Sequence, residues 1–442
     1  MFSAAGSFDL KLCSARSLLP PALIVYNTNR NGKMEKEAGR GGIIDDFTPA
    51  KIGERTLKNR LIRAGCYEGL ARNGEVTDRL IEHHTELARG GIGMTTVGYC
   101  AVSPDGRAFT DELLMRKQVV PGLRTLTDAV HAAGAAVSIQ LVHCGFFADP
   151  KVIGKRPLGA SQKLCTYRMT VCSEMTEQDM EEKAEDFVHA AVLAVEAGFD
   201  AVEIHAGHGY LLSQFLSPWT NRRDDRFGGS IENRVRFPAE VVRRVRGRLG
   251  EGFPVLVKIN QEDGFRGGLK IEDAVTAAKA VERAGASALI PSCGFTSKTP
   301  FAMLRGNVPN REMAANRQNL ATRMALRLFG GLFVQYFEYE PLFLFEGAKK
   351  FLRTLKIPVI YVGGVLSAEH ITTLLCEGFP FVQIGRATIR DPAFANRLRT
   401  GDIGESDCDI CNRCVAAMDG GGVYCVSEEK GLWRGKRFRK AR

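Results

Sequence analysis

The chain has 442 residues, 45% hydrophobic and 25% charged, a balance that suits a globular protein with a sizeable core in one large domain or two smaller ones. No apolar run reaches the roughly 20 residues needed to span a bilayer; the longest, 18–26, contains Pro20 and Pro21. The net charge of +10 is concentrated in the tail 430–442, which holds seven basic and no acidic residues and leaves +3 for the rest, so it marks a local basic terminus rather than a nucleic-acid-binding surface.

Residues 1–40 carry Lys11, Arg16 and Arg30, several serines and few acids before Glu35. That composition suits a mitochondrial transit peptide or a disordered extension ahead of the fold, so the expected location is cytoplasmic, or mitochondrial if the extension targets the chain. No secretory signal is recognisable, and most of the twelve cysteines, Cys100, Cys293 and Cys376 among them, stand singly in apolar surroundings. They read as small buried hydrophobes in a reducing compartment, not as a disulfide framework.

From Phe47 onward, short apolar β-branched runs alternate with longer amphipathic stretches, the pattern of repeated βα units and a parallel sheet. Eight strands are predicted, at 60–64, 94–97, 136–141, 201–204, 255–259, 288–290, 359–362 and 381–384. Between them, Thr176 and Asp179 form a capping-box pattern, Phe187, Ala191 and Ala194 follow at helical spacing, and Gly198 ends that helix. Ser367 opens and Gly378 closes the helix before the last strand. Eight units within 41–400 predict an α/β fold, a (β/α)8 TIM barrel with loop insertions after strands three and six, 149–175 and 293–345, both overhanging the carboxyl end of the barrel. A doubly wound open sheet is the alternative; against it, no GxGxxG stands at the first strand–helix junction. Residues 401–442 form a C-terminal segment of cysteines and basic tail.

The fourth predicted strand breaks into His205, His208 and Tyr210. Ligands of such barrels sit at that end of the strands, and two imidazoles three residues apart, with a phenol two further on, can converge on one small polar atom. Gln140 closes the third strand with a donor and acceptors, and a glutamine ending an apolar run is costly unless something bonds it. Lys258 interrupts the apolar strand VLVKIN and needs a partner. Gly363 and Gly364 after the seventh strand, with Gly385 and Arg386 after the eighth, suit an anion site built from close backbone approach and a guanidinium; glycines at such turns also occur without any ligand.

The runs HAGHGYLLSQFLSP and NRRDDRFGGSIENRVRF, together with FTPAKIGERTLKNR, QLVHCG, VKIN, VGGV and IGRATIRDP spread over 47–398, resemble the signature of the Old Yellow Enzyme family of FMN-dependent ene-reductases and NADH:flavin oxidoreductases. The resemblance implies FMN held by Ala64, Cys66, Gln140, His205, Lys258, Gly363, Gly364, Gly385 and Arg386, with Lys258 where negative charge develops on reduction and the glycines and Arg386 at the phosphate. It implies NADH or NADPH as reductant and a small electron-poor alkene as acceptor. The acceptor's carbonyl oxygen would be held by His205 and His208 and its α-carbon protonated by Tyr210; read without a substrate, Tyr210 is a rim aromatic. The charged loop 221–236 is implied to buttress the site, and no nucleic-acid partner is expected.

Two departures stand out. Many family members carry Pro-Met-Thr or Pro-Met-Cys after the first strand, whereas this chain reads Ala64, Gly65, Cys66, Tyr67, Glu68; the cysteine is displaced by one, so contact there is expected through backbone and no redox-tuning thiol is carried over. At the other end, Cys408, Cys411, Cys414 and Cys425 form C-x2-C-x2-C-x10-C, a pattern able to bind zinc or an iron–sulfur cluster. The 2,4-dienoyl-CoA reductase branch carries a similar [4Fe–4S] set whose third spacing is one residue longer. The leading expectation is an FMN-dependent NAD(P)H ene-reductase; a dienoyl- or enoyl-thioester reductase using the cysteine cluster is the enzymatic alternative. A non-catalytic barrel whose basic tail binds polyanions belongs to another class, with salt-dependent binding as its mark.

Overall fold

The computed structural model describes residues 47–315 and 334–426, with the short pieces 26–28, 34–36, 323–324 and 327. Apart from the first two pieces, the expected N-terminal extension lies outside the described residues, as does the basic tail 430–442. Eight strands run parallel: β1 Leu61–Arg63, β2 Met94–Ala101, β3 Ala136–Val142, β4 Ala201–Ala206, β5 Val255–Glu262, β6 Ala288–Cys293, β7 Ile360–Val362 and β8 Phe381–Ile384. Their order is β6-β5-β4-β3-β2-β1-β8-β7. A parallel bridge between Leu289 and Val359, with the Leu289 N–H donating to the Pro358 carbonyl at 2.9 Å, joins the two ends into the predicted barrel.

β2 and β5 run about four and three residues beyond their predicted ends, through Gly98–Tyr99 and Asn260–Gln261. Both extensions follow a polar or small residue that breaks the apolar pattern, and both pass through a register shift in the ladder, at Val97/Cys100 and Asn260/Glu262. Such bulges bend a strand while keeping it paired.

The helices pack outside: α1 Asp78–Arg89, α2 Val120–Ala132, α3 Glu177–Glu196, α4 Arg236–Leu249, α5 Ile271–Arg283, α6 Phe345–Thr354 and α7 Ala368–Glu377. Thr176 caps α3 as expected: its hydroxyl accepts the Asp179 N–H at 3.1 Å while the Asp179 carboxylate accepts the Thr176 N–H at 2.7 Å, an arrangement worth about 1 kcal/mol. Ser367 caps α7, and Gly378 ends it in the left-handed conformation.

Strand alternation sorts the barrel into layers. Outward residues such as Val137, Ile139, Val202, Ile204, Val257 and Val382 join the helices in the main core. Inward, Ile62, Met94, Ala201, Leu256, Ile290 and Phe381 plug the amino end. Towards the carboxyl end the inward positions turn polar: Thr96, Ser138, Gln140, Glu203, Lys258 and Gln383 are all buried. A barrel that is apolar below and polar above directs its chemistry to one mouth.

The insertion 149–175 forms two small ladders, Leu158–Gly159 with Ser173–Glu174 and Leu164–Cys165 with Thr170–Val171. After β8 the chain stays bound to the barrel: the Ala368 N–H donates to Gly404 at 2.9 Å and the Val423 N–H to Glu68 at 2.7 Å. Among the described residues no helix is long and apolar enough to cross a membrane.

Candidate active site

The end of β4 gathers the predicted triad. The Gly207 N–H donates to His205 Nδ1 at 3.2 Å, which places the ring proton on Nε2 and leaves that N–H without a protein partner among the described residues. His208 has left-handed backbone, φ +59. It is fixed there by its N–H donating to Asn260 Oδ1 at 2.9 Å and by Thr296, whose N–H and hydroxyl both donate to its carbonyl. Its Nε2 lies 2.8 Å from Ser292 Oγ. The two imidazoles stand edge to face, ring centres 4.8 Å apart, and Tyr210 stands edge to face with His205 at 5.0 Å.

Burial lowers the pKa of both histidines, with the Lys258 charge adding to it: His205 well below the usual imidazole range and His208 to about 3. Both are therefore neutral donors at physiological pH. Burial also raises the Tyr210 phenol well above its ordinary value, so it stays protonated. Its hydroxyl donates to that of Tyr99 on β2 at 3.0 Å. Tyr99, which sequence reasoning missed, thus belongs to the site.

Below this triad the polar layer centres on Glu203, another residue missed from the sequence. Its carboxylate takes the Lys258 ammonium at 2.8 Å, the Gln383 amide N–H at 2.9 Å and the Gln140 amide N–H. The partner that Lys258 requires is therefore supplied within the barrel. The Oε1 atoms of Gln140 and Gln383 remain buried acceptors without a partner. Such orphans are costly unless a ligand donates to them, and the alternating ring nitrogens and carbonyls of a flavin's pyrimidine edge meet that need beside Lys258.

At β1, the Ala64 N–H already bonds the Ile384 carbonyl at 2.9 Å and its own carbonyl accepts from Arg63. Cys66 Sγ accepts from Arg63 Nη2 at 3.2 Å. The side of the site that departs from the family pattern is therefore tied to its own chain.

The far end suits an anion. Gly364 has φ +70, and a Cβ there would stand 2.7 Å from Leu342 N; at Gly385, by contrast, a Cβ would meet nothing within 4 Å. Gly363 precedes Gly364 in the same turn, and the Tyr339 hydroxyl donates to the Gly364 carbonyl at 3.1 Å. Arg386 donates to the Arg305 carbonyl and to Asn412 Oδ1, at 3.1 and 2.8 Å, and burial lowers its pKa. A half-buried guanidinium held by neutral acceptors has no carboxylate partner among the described residues, so the donor set fits a phosphate at one end and a flavin head at the other. Arg386→Ala is expected to raise the FMN dissociation constant about tenfold or more while affecting riboflavin, which lacks the phosphate, far less. Equilibrium dialysis with both ligands checks this; equal weakening of the two would place the phosphate elsewhere.

The charged loop 221–236 is tied to its neighbours by buried and half-buried hydrogen bonds. Asn221 donates to the carbonyls of Phe215 and Phe227, and Arg223 joins Asp225 to the carbonyls of Ala160 and Met175. The C-terminal thiols are not drawn into a ligand set: among the described residues no three His, Cys, Asp or Glu side chains are grouped to hold a metal ion. Cys411 instead accepts from Arg413 Nε at 3.4 Å and Cys425 from Arg390 Nη1 at 3.8 Å.

Beside the two tyrosines lies Glu112. Its carboxylate accepts the N–H groups of Ala108 and Phe109 at 2.7 and 3.2 Å, yet burial pushes its pKa up to about 8. A carboxyl whose folded value exceeds its unfolded one favours the fold most at low pH, and that contribution is lost as pH rises from about 4.5 through about 8. The loss is on the order of 4 kcal/mol. Glu112→Gln is therefore expected to flatten the fall in stability across this window relative to the unaltered protein. Urea denaturation at pH 5 and pH 8 measures it, and parallel pH slopes for the two proteins would contradict it.

Comparison with known proteins agrees with this geometry. The profile of the NADH:flavin oxidoreductase / NADH oxidase family matches residues 46–294. The 4,4'-dithiodibutanoate disulfide reductase of Rhodococcus erythropolis is 38% identical over 381 residues, 86% of this chain and 94% of its own length. The NADH oxidase of Thermoanaerobacter brockii is 32% identical over 383 residues, and there the chain spans only 54% of the relative. Among solved structures, a 2-naphthoyl-CoA reductase complex is similar with TM-score 0.71 and 26% identity, over 84% of this chain and 54% of that one. An Old Yellow Enzyme homologue from Zymomonas mobilis, TM-score 0.66 and 23% identical over 82% of this chain and 95% of that one, shares the fold. The chain belongs to the NADH:flavin oxidoreductase / NADH oxidase family and is an FMN-dependent NAD(P)H oxidoreductase.

Proposed function

We propose that the enzyme uses NADH or NADPH to saturate the carbon–carbon double bond of an electron-poor alkene such as an enone or enal. The observation that carries this reading is the convergence of two neutral imidazoles and a protonated phenol at the end of β4, above the Glu203–Lys258 floor. When bound, FMN supplies the hydride. The chain's own residues do the rest. His205 offers its free Nε2–H, and His208 its ring beside Ser292, to the acceptor's carbonyl oxygen, drawing electron density from the double bond as negative charge builds there. Neutral donors suit this task because neither must lose a proton when the oxygen leaves.

Tyr210 gives its proton to the α-carbon, and the Tyr99 hydroxyl, already within hydrogen-bonding distance, turns to donate to the phenolate oxygen left behind. Burial of both rings against Phe147 and His205 keeps water from competing for that proton. The balance is one NAD(P)H and one proton consumed for each alkene reduced. The test is an assay of FMN-loaded protein with NADH or NADPH and 2-cyclohexenone, following both NAD(P)H oxidation and formation of the saturated ketone. Oxidation without saturated product would reject the reading.

A second reading is favoured by the relative that spans most of its own length with this chain, whose name makes it a disulfide reductase. Here one NAD(P)H and one proton convert a disulfide to two thiols. Turnover of 4,4'-dithiodibutanoate in place of the enone would select it.

A further inference from the structure

Three loops bring positive charge to one place beside the mouth of the barrel. Lys163 comes from the insertion after β3, Arg222 from the loop following β4 and Lys298 from the insertion after β6. The ammonium groups of Lys163 and Lys298 lie 3.9 and 4.7 Å from the centre of the Trp219 ring, and Lys298 also lies 4.5 Å from that of Phe265. Trp219 packs edge to face on Phe295 at 5.5 Å. The next residue, Thr296, donates through both its N–H and its hydroxyl to the His208 carbonyl. The cations therefore stand on the outer side of the aromatic cluster of Trp219, Phe265 and Phe295 that packs with Tyr210.

Their surroundings lack compensation. None of the three has a carboxylate partner among the described residues, although Arg223, next in the chain to Arg222, is paired with Asp225 and Glu174. Burial, and then the like charges of Arg222 and Lys298, lower the Lys163 pKa. Trp219 and Phe265 ease the two ammonium groups, but like charges brought together from separate loops still repel, and an anion between them relieves that repulsion.

We propose that Lys163, Arg222 and Lys298 form a subsite for an anionic group, carboxylate or phosphate, at the far end of the acceptor whose reacting end lies against His205, His208 and Tyr210. The subsite rests on the ene-reductase reading of that pocket. It makes the natural acceptor a charged alkene rather than a neutral one, held at two points: carbonyl oxygen to the histidines and anion to the subsite.

The test uses the full FMN-loaded chain and the variant K163Q/K298Q, with 4-carboxycinnamaldehyde and its methyl ester as acceptors; the two share one enal and differ by one negative charge. The unaltered enzyme is expected to prefer the acid, and its acid-to-ester kcat/KM ratio to fall about tenfold in the variant. The ratio should also fall in the unaltered enzyme as salt is raised to about 0.5 M. An unchanged ratio overturns the proposal. So does a rise confined to the KM for NADPH, since the cations would then serve the reductant's phosphate.

Equilibrium dialysis of the acid against both proteins separates the two readings. Binding that the variant loses, without reduction of either compound, upholds the subsite and rejects only the ene-reductase chemistry. Reduction of both compounds with equal dialysis constants rejects only the subsite. Competition by benzoate and by phenyl phosphate, each weaker in the variant, tells which anion the subsite prefers.

Discussion

Tyr210→Phe is expected to lower kcat for an enone by about 10²- to 10³-fold, the range in which loss of a positioned general acid falls, while NAD(P)H oxidation with ferricyanide continues. The ring itself is not in question. Phenylalanine keeps the contacts of Tyr210 with Phe147 at 5.9 Å, Tyr99 at 5.3 Å and His205 at 5.0 Å, and the variant gives up one hydrogen bond, worth about 1 kcal/mol. What it loses is the phenolic proton next to His205 and His208, whose neighbouring hydroxyl, Tyr99, is placed to support the anion left behind. Because burial holds both phenols above their ordinary values and both imidazoles below theirs, none of the four changes charge in the physiological range. These four groups should thus impose no pH dependence of their own on the acceptor-reducing step between about 6 and 9, and a change near pH 8 would report the ionisation of Glu112 beside the two phenols. Disulfide reduction needs no proton on carbon, so Tyr210→Phe should spare 4,4'-dithiodibutanoate and impair the enone. Stopped-flow measurement of the two half-reactions decides it, and equal loss in both would remove Tyr210 from its role.

How much of this was legible in the sequence depended on how locally each group is held. His205, His208 and Tyr210 lie within six residues at one strand end, and each of the eight strands announces itself by an apolar run, so the barrel and the triad could be read directly. Glu203 could not. Standing between Val202 and Ile204, it looks like a single polar interruption of a buried strand, and its meaning comes from Gln140, 63 residues before it, and Gln383, 180 residues after it. Tyr99 is likewise hidden, because its partner Tyr210 lies 111 residues away and its strand continues past a bulge that hydrophobic alternation does not foretell. The cysteines show the converse. Their spacing suggests a ligand set, and Cys408, Cys411, Cys414 and Cys425 do act electrostatically on one another, but spacing alone does not fix side-chain direction, and Cys411 and Cys425 also accept from Arg413 and Arg390. Lys163, Arg222 and Lys298 are three ordinary surface cations until the fold brings their loops together.

The largest loss of stability is expected from Glu203→Ala, about 3–5 kcal/mol. The carboxylate is fully buried and serves three donors at once: the Lys258 ammonium at 2.8 Å, the Gln383 amide at 2.9 Å and the Gln140 amide. Alanine leaves an unpaired ammonium in a closed barrel and two amides without acceptors, and desolvation that the pair had offset becomes uncompensated. Lys258→Met alone should cost less, because the Glu203 carboxylate it strands still accepts from the Gln140 and Gln383 amides, whereas the Lys258 ammonium left by Glu203→Ala has no other partner among the described residues. The double variant Glu203→Leu/Lys258→Met should recover much of the loss, since apolar replacement of a buried ion pair is often close to neutral. Urea denaturation of the apoproteins measures all three without the stabilisation that bound FMN adds by mass action. A Glu203→Ala loss below about 1 kcal/mol would mean that water reaches this layer and that the floor is not closed. FMN affinity supplies the second half of the argument: the double variant, with its fold restored but no cation under the flavin head, should still bind FMN weakly, because the charge that Lys258 places there cannot be replaced by packing.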